Sequence, residues 1–200
     1  MSLTATDSGG EFKSVENGTY VARCIKLIDL GTQHGEYQGK PVVKRQVLIT
    51  WELPTELIEG GDYDGQPYAM SKFYTASTNE KSILRKDLES WRGRTFTDEE
   101  INCFDITAIV GKACMISVVK NDKGKTKVSG VMALPKGMIC PEQINPTVVF
   151  DMDIFDKAVW DSLSDGIKKI IEQSDEYQVR HGHGVQIEEP PPYDADNIPF

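Results

Sequence analysis

Apolar and polar side chains alternate through much of the first half of the chain, and a period of two predicts strands. Thr19 to Leu30 places Val21, Arg23, Ile25 and Leu27 on one side and Tyr20, Ala22, Cys24, Lys26 and Ile28 on the other. Gly31 to Pro41 carries three glycines and a proline, which predicts an exposed loop. Val42 to Leu53 is rich in β-branched residues and reads as a second strand, so that the two form a long hairpin whose loop displays His34, Tyr37 and Lys40. A glycine-rich stretch leads to a third strand, Tyr68 to Thr75.

The period then changes. Ile83, Leu84, Leu88 and Trp91 fall at helical spacing within Lys81 to Arg92, with Ser77 and Glu80 patterned as a capping box and Gly93 as the stop. Thr97-Asp98-Glu99-Glu100 opens a short turn, and Lys112 to Lys120 and Lys125 to Leu134 make two more strands around an Asn-Asp-Lys-Gly turn. From Phe150 to Tyr177 apolar residues recur at three and four, which predicts an amphipathic helix over 152–177 that Gly166 interrupts. The remainder, rich in Gly, Pro and acids, has too few apolar side chains to fold alone.

The chain therefore divides into a flexible leader over 1–17, a β-rich body over 18–150, a helical segment over 151–178 and a disordered acidic tail over 179–200. Five strands with a helix between the third and fourth predict a mainly β fold, the OB-fold, a five-stranded Greek-key barrel with a C-terminal helix added. SH3-like barrels and unrelated α+β folds share the same count of elements.

Composition narrows the classes. With 39% apolar and 26% charged residues the chain is of ordinary globular make-up, and no apolar run is long enough for a membrane span. No secretory signal is expected at the N-terminus. Cys24, Cys103, Cys114 and Cys140 stand far apart without a CxxC pair, which suits a reducing cytosol better than a zinc ribbon or a disulfide scaffold. The net charge of −9 is concentrated at one end: residues 151–200 carry 12 acidic and 4 basic side chains, leaving a nearly neutral body.

A barrel that binds single-stranded nucleic acid needs cations for phosphates and flat rings for bases. Lys44, Arg45, Lys72, Lys120, Lys123, Lys125 and Lys127 lie on predicted strands or their hairpin, with Lys40 in the first loop. Tyr37 sits in that loop, Trp51 on strand two, and Phe73 and Tyr74 on strand three. Alternation puts Lys44, Gln46 and Thr50 on one face of strand two, and Lys72 and Tyr74 on one face of strand three. Trp51 and Phe73 fall on the apolar sides and are expected to fill the barrel, although Trp51 stays among the candidate rings. Tyr37, Lys44, Lys72 and Tyr74 are better placed for a wet face.

Asp151, Asp153 and Asp156 pattern as a metal-binding carboxylate cluster, the basis of an alternative reading as a metal-dependent nuclease or recombination enzyme, though acids before a helix commonly favour its positive end. His181 and His183 in a glycine-rich segment read as solvated linker, so no metal or other cofactor is expected. Sequence motifs for nucleotide hydrolysis and the common hydrolases are missing, and the chain is expected not to be an enzyme.

The last residues are the sharpest feature. Asp194 and Asp196 precede Ile198-Pro199-Phe200, an apolar tip that makes poor sense as a solubiliser and good sense as a plug for a pocket with a basic rim. This ending resembles the tail of bacterial and phage single-stranded DNA-binding proteins. Ser82 to Phe104, with Gly111-Lys112 and Leu134-Pro135-Lys136-Gly137, is similar to phage and prophage proteins of that type. The resemblance implies an OB-fold body that coats single-stranded DNA during replication, recombination or repair. It also implies a tail (Asp194, Asp196, Ile198, Pro199, Phe200) that recruits host or phage enzymes, and a place in the cytoplasm of a bacterial host. The tetrameric assembly of the ordinary bacterial protein does not carry over, because its N-terminal strand pattern is missing; the added helical segment suits packing or homo-oligomerisation.

Overall fold

The computed structural model describes residues 14–121 and 124–182. It begins with a hairpin longer than the sequence predicts. Strand β1 runs over Gly18–Tyr37 and β2 over Lys40–Leu57, and the segment expected as a loop is paired from Gly31↔Gln46 to Tyr37↔Lys40. The three glycines have separate local roles. Gly31 adopts φ 70° where the register shifts, Gly39 closes the two-residue turn with Gln38, and Gly35 lies in the exposed strand. Positive φ at both Gln38 and Gly39 gives the turn the twist that flanking strands require.

The third strand, β3 (Pro67–Thr75), pairs with β2, while β4 (Ala113–Lys120) pairs with the first residues of β1 and then with β5 (Thr126–Met132). A short β6 (Val148–Phe150) adds parallel to β1; three residues are too few to leave a periodic signal. The order β3-β2-β1-β4-β5 forms an open, predominantly antiparallel sheet, with β3 and β5 as its edges and no ladder between them. The closed barrel expected from the element count is thus not formed by hydrogen bonds; mainly β describes the fold.

Helix α1 (Ile83–Arg92) packs against both edges. Its Asp87 accepts from Lys72 Nζ and Tyr74 OH on β3, each at 2.7 Å, and its Ser90 carbonyl accepts from Ala133 N–H beyond β5. The cap is Ser82 rather than Ser77: its Oγ accepts from Arg85 N–H at 3.0 Å and donates to the Ser77 carbonyl. Gly93 stops the helix in the left-handed region, as expected. Next, α2 (Asp98–Asn102) carries the capping box, between Thr97 and Glu100, and a 3-10 turn spans Ile106–Ile109. Leu84 and Leu88 join Ile49, Trp51, Leu53, Ile116 and Val118 in the first core. Val15, assigned to the leader by sequence, is packed there too; residues 1–13 lie outside the described residues.

After β5 the chain crosses back over the sheet. The Arg23 guanidinium donates to the carbonyls of Gly111, Cys140 and Pro141, fixing the start of the crossing. Glu52, fully buried, accepts from the backbone N–H groups of Ile144 and Asn145 and from the Asn145 amide, all at 2.7 Å. A buried carboxylate requires such partners.

The helical segment is three short helices, α3 (Lys157–Ser162), α4 (Asp165–Glu172) and α5 (Asp175–Arg180), rather than one. Asp156, Ser164 and Ser174 occupy their N-cap positions, and Gly166 lies inside α4 instead of breaking it. Their apolar residues Leu163 and Ile171, with Phe150 and Met152, bury Ile28, Leu30 and Leu48 in a second core. Leu27, Val47 and Ile49 belong to the first core, so both faces of β1 and β2 are covered. Among the described residues no helix is long and apolar enough to cross a membrane.

Candidate nucleic-acid interface

The second core corrects the expected wet face of strand two. Lys44 is exposed, Gln46 is half-buried, and Thr50 is buried with its hydroxyl 2.9 Å from Ser71 Oγ. The crossing segment and the C-terminal helices occupy the space that solvent was expected to fill.

Strand three is corrected in the same way. Lys72 and Tyr74 do share a face, but it is the inner one, opposite Ile49 and Val47. Tyr74 is 4% exposed and Phe73 53% exposed, the reverse of the sequence expectation. The reason is α1, which lies over the inner face and supplies Asp87 to neutralise Lys72 and bind the Tyr74 hydroxyl. Burial, with the Asp87 charge beside it, pushes the Tyr74 hydroxyl well above its ordinary pKa. Trp51 is fully buried, packed near Trp91 and Tyr74. Neither Trp51 nor Tyr74 offers a ring face to a base, and Lys72 is not free to meet a phosphate.

Arg45 is likewise structural. It donates from two nitrogens to the Asp29 carboxylate and stands 3.6 Å from Asp153. The bond to Asp29 raises its pKa further, against the opposing effect of burial.

At the Phe73–Thr75 end of β3, beside the start of α1, lies a groove of about 430 Å³. Phe73 and Ile83 (63% exposed) form its apolar walls, Lys44 and Lys81 its cations, and Thr75 and Ser77 contribute hydroxyls. The first turn of α1, which contributes Ile83 to the wall, carries no acidic residue to oppose an anion. A flat apolar ring flanked by two ammonium groups is chemically suited to a base stacked on the ring and phosphates held beside it. Phe73, Lys81 and Ile83 were missed by the sequence reading. The period-two alternation placed Phe73 opposite Tyr74 but gave no means of telling which face α1 would cover.

The other cations fall into two groups. Tyr37 (65% exposed) and Lys40 face each other at the tip of the β1–β2 arm, beyond Lys44. Lys120, Lys125 and Lys127 are exposed on the β4–β5 hairpin; β4 pairs with the opposite end of β1, so this group is remote along that strand from the arm tip. Lys123 lies outside the described residues, as do Asp194, Asp196, Ile198, Pro199 and Phe200.

The aspartates of the nuclease alternative are engaged locally. Asp156 Oδ1 accepts from Ala158 and Val159 N–H at the start of α3, and Asp151 Oδ1 accepts from Asp153 N–H. Among the described residues no group of three His, Cys, Asp or Glu side chains is arranged to hold a metal ion. Comparison with models of known protein families, with curated proteins and with solved structures returned no match.

Proposed function

We propose that the chain is a single-stranded DNA-binding protein of the phage or prophage type, and not an enzyme. Its body is an OB-type barrel left partly open, and its acidic C-terminal residues recruit replication, recombination and repair proteins in a bacterial cytoplasm. The observation that carries the reading is the exposed Phe73 ring in a groove with Lys44 and Lys81. The strand order, with a helix between β3 and β4 and that helix bridging the two edge strands, supports the OB assignment. The sequence Asp194-Ala195-Asp196-Asn197-Ile198-Pro199-Phe200 supports the recruiting role. The capping and turn bonds of Asp151 and Asp156 weigh against a nuclease centre there.

Fluorescence anisotropy of end-labelled poly-thymidine, run against a labelled duplex and with magnesium or manganese added, tests the proposal. Binding of the single strand in preference to the duplex, with the oligonucleotide intact, is expected. No binding overturns the proposal, and metal-dependent cleavage replaces it with the nuclease. An extrinsic label reports binding without depending on the tryptophans, of which Trp51 is fully buried and Trp91 and Trp160 are half-buried.

A further inference from the structure

The arm that carries Lys44 is held at its root by the C-terminal helices. Thr32 donates its backbone N–H to Glu176 Oε2 and its hydroxyl to Glu176 Oε1, both at 2.7 Å. The next residue, Gln33, donates from its amide to the Ile170 carbonyl at 2.9 Å and the Leu30 carbonyl at 2.7 Å. His34 Nε2 lies 2.7 Å from Asp175 Oδ1. Three consecutive residues of one strand are thus bound by three side-chain bridges between that strand and the α4–α5 region.

The partners of those residues across the ladder are informative. Thr32 pairs with Arg45, Gln33 with Lys44 and His34 with Val43. The clamp therefore acts on the rungs that set where Lys44 sits against the β3 groove. Gly31, immediately before, permits the close approach. A Cβ there would stand 2.6 Å from Ser174 Cβ and 2.7 Å from Glu176 Oε2, and its φ is already 70°. Burial pushes the Glu176 carboxyl up, but the two bonds from Thr32 and the nearby Arg45 charge outweigh it and hold it below the usual carboxylate range. The group is therefore ionised, and a strong acceptor, at neutral pH.

We infer that Glu176, with the Gln33 bridge beside it, is a positioning residue for single-stranded DNA binding, fixing the β1–β2 arm so that Lys44 meets a phosphate while Phe73 meets a base. The inference rests on the proposed function. It makes the C-terminal helices a working part of the interface, not an appendage to it.

The test is a double-variant cycle in the full chain: Glu176→Ala, Lys44→Ala and the two together, each titrated with labelled poly-thymidine over a salt series. Glu176→Ala is expected to weaken binding about fivefold and to lower the slope of log affinity against log salt by about 0.7, one phosphate contact on a single strand. Lys44→Ala should lower the slope equally, and the double variant should bind no more weakly than Lys44→Ala alone. Glu176→Gln, which keeps an acceptor oxygen for Thr32, should recover part of the loss.

Native affinity and slope in Glu176→Ala, or losses that add to those of Lys44→Ala, would overturn the positioning role while leaving the DNA-binding reading in place. An unmodified chain that fails to bind the oligonucleotide removes both. Hydrogen exchange at the Thr32 amide guards against a variant that has merely misfolded. Exchange confined to the arm is expected with Glu176→Ala, and acceleration throughout the sheet would overturn the inference.

Discussion

Phe73 and Tyr74 are neighbours on one strand with opposite exposure, and the proposed function makes the difference measurable. Replacing Phe73 by Ala removes the exposed ring and should weaken single-strand binding by about 1–3 kcal/mol, the usual worth of one stacked base, with little change in thermal stability. Replacing Tyr74 by Phe keeps the buried ring but loses the bond to Asp87. That variant should lose about 1 kcal/mol of folding stability, read by urea denaturation, with unchanged affinity for DNA. The sequence held the alternation of these residues but not its direction, since period two is symmetric between faces and a one-residue slip exchanges them. The deciding partner, Asp87, is 13 residues further along the chain. Lys72 misled for the same reason: a lysine on a strand reads as exposed until a carboxylate from another element neutralises it.

At the scale of elements, strands with clear alternation and the helix ended by Gly93 were legible, because their signals are local. The arm was not, because three glycines read as a loop when only Gly31 and Gly39 need positive φ. Nor were the breaks between α3, α4 and α5, where the three-and-four rhythm continues across Ser164 and Ser174 while the backbone turns. Gly31→Ala should destabilise the docking of α5 by about 2–4 kcal/mol, combining the cost of a left-handed Cβ with the overlap on Ser174. Differential scanning calorimetry would read it as a lowered Tm.

The α2 capping box makes a second prediction at this scale. Bonds from Arg94, then Arg92, then the Thr97 N–H bring the Glu100 pKa down to about 2. A lowered folded-state value stabilises the native chain above the unfolded pKa and is lost as pH falls through the folded one. The cap should therefore hold at pH 5 and release between about pH 4 and pH 2, seen as rising amide exchange around Thr97 and Glu100. Glu100→Gln should flatten that dependence.

For the whole molecule, the two faces of β1 and β2 are taken by the two cores, and the candidate groove lies at the β3 edge. Under the proposed function the basic hairpin at the far end of β1 is a contact separate from the groove. Lys125→Ala with Lys127→Ala should leave a short oligonucleotide's affinity unchanged and weaken only a long one, whereas Lys44→Ala with Lys81→Ala should weaken both. Charge asymmetry between body and C-terminal residues was legible from composition; which surface stays open was not, since it depends on how the chain crosses back over its own sheet.

The most direct measurement is the affinity of the full chain and of Phe73→Ala for labelled poly-thymidine across a salt series, alongside a duplex of the same length. The account predicts single-strand preference, weakening with salt, and a loss of about fivefold or more in the variant. Equal affinity of Phe73→Ala and the unmodified chain, or tighter binding of the duplex, would contradict it.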